Sequence, residues 1–214
     1  MKKKLVLLGI LLIIAGLGIF FATRNLFGKG SPTQDLGVKQ ILKNESSTVK
    51  IINIKEAGYY DITTLKTNEA EKSSSQIPDL DKTRRGQYFN KNESISLNSG
   101  EKVIFNPAKF EKIPESNNAY ILTDTGNYLI GEQFPSGEYT ISFEGELTAW
   151  TDKSGSVTQG EVQIVVYAPE NVKDSESFQV TDDKQNIKIK LKNKRFLAIK
   201  TTNPNVSVVL TPIK

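Results

Sequence analysis

From residue 48 onward, large apolar side chains recur at every second position in short runs. ESISL (93–97), EYTISF (138–143) and IKIKLK (187–192) are the plainest cases. That period of two belongs to a strand with one face buried. Further runs rich in β-branched and aromatic residues are VKIINI (49–54), YYDITTL (59–65), KVIFN (102–106), AYILT (119–123), NYLIG (127–131) and ELTAW (146–150). VQIVVYA (162–168), SFQV (177–180), RFLAIKT (195–201) and VSVVL (206–210) complete the set. Gly, Pro, Asn, Asp and Lys turns separate them, the signature of a sandwich or barrel. No segment beyond residue 48 keeps a 3.6-residue apolar period, so the chain there is predicted to be all-β. Leu36, Val38, Ile41 and Leu42 are spaced for one or two helical turns before Asn44. The polar stretch 66–87 offers little beyond Ile77 and Leu80 to bury and predicts a long mobile loop, with Arg84 and Arg85 solvated in it.

The N-terminus follows another pattern. From Leu5 to Ala22 the chain reads LVLLGILLIIAGLGIFFA, uncharged throughout. As a helix it is about 27 Å long, near the ~30 Å hydrocarbon thickness of a bilayer. A cleaved leader usually has a shorter apolar stretch and a small-x-small site, whereas here Phe20 stands two positions before Ala22. The run predicts an uncleaved transmembrane helix. Lys2, Lys3 and Lys4 precede it against Arg24 and Lys29 after it, which orients the N-terminus to the cytoplasm and the rest outside. The expected organisation is a cytoplasmic stub and anchor (1–28), a spacer (29–47) and two small β-sandwich-like modules (48–114 and 115–214).

Two modules are expected because parts of the chain align with one another. AGYYDI (57–62) matches SGEYTI (136–141), and ISL (95–97) and VIF (103–105) match IKL (189–191) and LAI (197–199). The spacing between copies grows along the chain, which places an insertion around 145–170 in the second copy. YLIGEQFPSGEYTI (128–141) resembles a motif of exported and anchored proteins of Gram-positive bacteria, in which a Tyr-x-Ile-Gly strand runs into a Pro-x-Gly-x-Tyr turn. AGYYDI (57–62) looks like the same element, and ISLNSGEKV (95–103) like that family's closing hairpin. Gln133 and Phe134 stand where the family has Asp-Ile, and the first copy lacks the Pro. The resemblance implies small extracytoplasmic β-modules and brings no catalytic residues with it.

Charge removes one class of partner. The formal net charge is +4, but residues 1–29 hold five of the 28 Lys and Arg and none of the 24 Asp and Glu. The remainder sets 23 cations against 24 anions, so the basic balance belongs to the anchor and no nucleic-acid role is expected. Cys and His are both absent. A disulfide framework, a Cys/His zinc site and a His-based catalytic triad are therefore excluded. The acids are scattered, and the chain reads as a non-enzyme without cofactor or metal.

Candidate contact residues remain. Lys188, Lys190 and Lys192 alternate with Ile187, Ile189 and Leu191 and so share one face of a strand, suited to a solvated sheet edge or to contact with an anionic wall polymer or phospholipid headgroups. Tyr139 and Trp150 lie on predicted strands, as core or as a platform for sugar rings. The function these features fit is a membrane-anchored extracytoplasmic interaction module touching the cell wall or an envelope protein. The alternative is an accessory subunit of a membrane complex that packs through Gly9 and Gly16 on one face of the anchor.

Overall fold

A computed structural model describes residues 32–67, 77–147, 150–151, 157–158, 160–169, 171–182, 185–201 and 205–214. These residues form an all-β structure with several sheets. In the first half the strands are β1 (Gln40–Lys43), β2 (Lys50–Asn53), β3 (Gly58–Lys66), β4 (Thr83–Phe89), β5 (Ser94–Leu97) and β6 (Lys102–Pro107). The second half opens with β7 (Tyr120–Leu122), β8 (Thr125–Leu129), β9 (Gly137–Glu144), β10 (Trp150–Thr151) and β11 (Val157–Thr158). It continues with β12 (Val162–Ala168), β13 (Asn171–Val180), β14 (Ile187–Leu191), β15 (Phe196–Thr201) and β16 (Ser207–Pro212).

One pairing scheme occurs twice. In the first half β1 pairs with β6, β2 with β5 and β3 with β4, while β3 also takes β6 on its other side. This is a long hairpin folded back on itself. In the second half β8 pairs with β15, β9 with β14 and β12 with β13, and β12 also takes β15. The sets β1-β6-β3-β4 and β8-β15-β12-β13 lie end to end as one eight-stranded sheet. They join through β4 and β8, a parallel pair in which Arg84 faces Thr125 and Arg85 faces Gly126. β16 and β7 extend the second half's other sheet to the order β14-β9-β16-β7. The small ladder β10–β11 lies between β9 and β12, within the stretch read as an insertion.

The period of two sorts the side chains into separate cores. On β3, Tyr60 and Ile62 face a first cluster with Leu42, Ile54, Phe89, Ile95, Leu97, Val103 and Phe105. On β8, β12 and β15, Tyr128, Ile164, Leu197 and Ile199 face a second, shared with Tyr139, Ile141, Leu191 and Leu210. The alternate residues of the same strands meet across the junction on the opposite face. Tyr59, Tyr88, Leu129, Tyr167 and Phe196 gather there, with Ala108 and Phe110 of the connecting chain. Ring centroids are 5.0 Å apart for Tyr59–Tyr88, 5.5 Å for Tyr59–Phe196 and 5.6 Å for Tyr167–Phe196. Burial of such rings is a large apolar contribution, so the seam between the halves has a core of its own.

Several sequence expectations are corrected. The predicted helical turns at Leu36–Leu42, inside the expected spacer, are instead an extended lead-in and the edge strand β1, whose inward positions are Gln40 and Leu42. Strand geometry wins because Gln40 can bury its amide, which donates to the Tyr60 hydroxyl (3.0 Å) and accepts from the Lys55 amide (3.2 Å). The expected loop at 66–87 contains β4 from Thr83 onward, and Ile77 is buried. AGYYDI opens β3, the third strand of its scheme, whereas SGEYTI lies in β9, the second of its own, so these segments are not equivalent. ISL and IKL, on β5 and β14, do hold equivalent places. The expected closing hairpin is not a ladder, because β5 and β6 pair with β2 and with β1 and β3. The anchor from Leu5 to Ala22 lies outside the described residues. Among those described, no helix is long and apolar enough to cross a membrane.

Candidate functional site

The most concentrated chemistry in the described residues lies at the seam. A register shift on β3 between Tyr60 and Ile62 turns the Asp61 carboxylate toward β4. Asp61 Oδ1 accepts from the Gly86 amide (2.9 Å), and Oδ2 accepts from the Lys109 amide (3.1 Å) and from the Arg85 guanidinium (3.5 Å). Arg85 Nε donates to Asp124 Oδ2 at 2.7 Å, so one guanidinium links a carboxylate from each half. The Tyr128 hydroxyl donates to the Asp124 carbonyl (2.7 Å), and Asn127 Nδ2 donates to the Gly86 carbonyl (2.9 Å).

The local backbone explains why these groups can meet. Gly126 has φ +129°, and a Cβ there would stand 2.2 Å from the Arg85 carbonyl oxygen. Only glycine allows β8 to approach β4 so closely. Burial pushes the Asp61 carboxyl up from its ordinary value, opposed by the Gly86 and Lys109 amides and then by the charge of Arg85. Partial burial works against the Arg85 cation, but its hydrogen bond to Asp124 and the two carboxylate charges hold its pKa up. Burial also pushes the Tyr128 phenol far up.

Beside this cluster opens a cleft of about 240 Å³. Arg85, Asp124 and Tyr128 line it from the seam, Ile121 and Leu122 from β7, and Lys109, Glu111, Lys112 and Ile113 from the connecting chain. Both seam carboxylates already accept from strong donors. The cluster's chemistry is that of a joint fixing β4 against β8, with lysines at the rim of the adjoining cleft.

The residues singled out from sequence lie elsewhere and apart. Lys188, Lys190 and Lys192 are exposed on and just beyond β14, the edge strand of its sheet, while Ile189 and Leu191 between them are buried. Tyr139 is 2% exposed. Its ring packs against Tyr120 (6.3 Å) and Phe134 (6.2 Å), and its hydroxyl donates to the Pro135 carbonyl (2.7 Å), so it stands in the core. The Trp150 side chain lies outside the described residues; its backbone pairs with Thr158. Sequence reasoning missed Asp61, Arg85 and Asp124. Their signal was the adjacent pair Arg84-Arg85 before Gly86, but the acids nearest in sequence, Asp79 and Asp81, are not the ones that Arg85 pairs with.

No protein-family model matches this chain, and no curated protein matches it.

Proposed function

We propose that this chain is a membrane-anchored, extracytoplasmic interaction protein built of two β-sandwich-like modules, and that it contacts an anionic polymer of the cell envelope without performing catalysis. The observation that carries the reading is the lysine row on β14. Three like charges project from one exposed strand edge, and none of the three forms a salt bridge with another described residue. Such a row costs self-repulsion and is relieved by a polyanion, through charge more than shape. It also blunts the edge against strand pairing with other chains, as lysines do on sheet edges.

The test is co-sedimentation of the full chain, in lipid nanodiscs, with a purified phosphate-containing wall polymer. Binding that weakens steeply with salt and is lost when Lys188, Lys190 and Lys192 are all replaced by Ser supports the reading. Equal binding by the triple variant, or none at low salt, refutes it. The second reading, an accessory subunit packed through Gly9 and Gly16 of the anchor, rests on their seven-residue spacing on one helix face. Crosslinking from intact cells that captures a membrane partner, lost in Gly9→Leu/Gly16→Leu, decides for it.

A further inference from the structure

The cleft beside the seam holds more hydrogen-bond donors than the joint consumes. Arg85 gives Nε to Asp124 and Nη1 to Asp61, while its Nη2 donates to no described residue and its side chain is 36% exposed. Gln133 also lines the cleft and is only 4% exposed. Its Oε1 accepts from the Leu129 amide (2.8 Å), but no described residue accepts from its Nε2. A largely buried donor of this kind is satisfied only by what enters the cleft, water or ligand. Lys109 and Lys112 are exposed on the lining, and neither forms a salt bridge with a described residue. Against these cations stand Asp124, already held by Arg85, and Glu111.

The backbone around the cleft is under-used as well. β7 brings Ile121 and Leu122 to the lining and, as the last strand of its sheet, pairs along one edge only. Residues 109–114 supply another wall. Of their backbone groups, only the Lys109 and Ile113 amides hydrogen-bond within the described residues, to Asp61 and to the Gln133 carbonyl. An extended segment without a ladder, beside an edge strand, offers main-chain partners to a short guest strand. The volume of about 240 Å³ lies just below the ~300–1,000 Å³ of drug-sized sites, which suits the last residues of a peptide.

We propose that this cleft binds the C-terminus of a peptide. The spare donors of Arg85 and Gln133 take its carboxylate, Lys109 and Lys112 add attraction, and an apolar last side chain rests on Ile113 and Ile121. A guanidinium matches a carboxylate in plane and charge. The site is separate from the lysine row, since β7 and β14 are opposite edges of the four-stranded sheet, and it does not rest on the polymer reading. A polyanion fits the cleft less well, because Glu111 on the lining has no described donor and repels further negative charge.

The full chain in lipid nanodiscs is immobilised and offered two pools of acetylated tetrapeptides randomised at every position. One pool has free C-terminal carboxylates and the other is amidated, and retained peptides are read by mass spectrometry. Carboxylates ending in Leu, Ile, Val or Phe should be retained about tenfold or more over their amides, the worth of one charge-assisted hydrogen bond. Gln133→Glu keeps the acceptor for Leu129 and sets a carboxylate where the donor was, so retention should fall to that of the amides. Lys109→Ser/Lys112→Ser changes only exposed side chains and should weaken retention several-fold; it carries the test alone if circular dichroism shows Gln133→Glu unfolded. Equal retention of acids and amides, or retention of neither, overturns the proposal. So does enrichment that survives these variants, which puts binding elsewhere. Full competition by an equal concentration of N-acetylleucine assigns the cleft to small free carboxylates and overturns the peptide reading. Replacing Lys188, Lys190 and Lys192 by Ser should leave peptide retention unchanged, so failure of the polymer reading and failure of this one are read apart.

Discussion

Replacing Asp61 by Ala tests whether the seam is held by its polar joint. The carboxylate is the acceptor for two amides, Gly86 and Lys109, and is itself buried. Each amide left without an acceptor costs about 1–3 kcal/mol, so stranding both costs about 4 kcal/mol. The Arg85 contact adds little, because it is long at 3.5 Å, its side chain is 36% exposed, and Asp124 still holds it. Asp61→Asn keeps the volume and one acceptor oxygen but turns an amide NH₂ toward a donor, so about half the loss is expected. Chemical denaturation of the full chain in mild detergent, followed by circular dichroism, reads both variants. With a slope of about 2 kcal/mol/M in urea, the midpoint should fall by about 2 M for Ala and about 1 M for Asn. An Asp61→Ala midpoint within about 0.3 M of the parent (on the same slope), or an Asn variant worse than Ala, refutes the account.

Gly126→Ala should be costlier than its size suggests, about 3 kcal/mol or more, because the Cβ meets Arg85 backbone and φ is unfavourable; hydrogen exchange should show faster exchange at β4 and β8 before the rest. Asn44→Ala should cost about 2 kcal/mol, since its amide donates to the Thr48, Leu97 and Asn98 carbonyls and its oxygen accepts from Ser46; a thermal midpoint unchanged from the parent counts against this. The Tyr139 phenol is pushed up to about 12 by burial, so its share of stability is complete below pH ~10 and lost as pH rises through about 12. Tyr139→Phe should therefore cost about 1 kcal/mol at neutral pH for the lost Pro135 bond and lose less than the parent between pH ~10 and ~12, read by tyrosinate absorbance with circular dichroism.

What could be read in the sequence depended on whether a strand's partners were chemically visible within it. β9 and β14 alternate cleanly, and their bounds follow from that to within one residue at each end. β1 was hidden because Gln40 on it and Asn44 just past its end are buried, and their burial makes sense only beside Tyr60, Leu97 and Asn98. β4 was hidden for the same reason, since Arg85 reads as solvated until Asp124 is brought to it from 39 residues away. The mismatch of AGYYDI with SGEYTI has a different cause. A Gly-x-Tyr turn says how a strand begins, not which neighbour it takes. The later alignment held its place because ISL and IKL carry whole alternating faces, which pairing must respect.

The narrow β4–β8 contact also governs how the protein behaves under load. On the proposed reading, with the chain tethered at its N-terminus and held through β14, tension passes from one half to the other through this seam. Force across a sheet, at right angles to its strands, opens hydrogen bonds one after another, whereas force along the strands must break them together. Here the ladder is only two residues long. The ladder alone would part at small extension, but the aromatic cluster of Tyr59, Tyr88, Tyr167 and Phe196 must be pulled open with it, while the first and second cores stay closed. On that reading the seam is the place where the two halves would separate under load, and the Arg85–Asp124 pair the contact that would guide them back together.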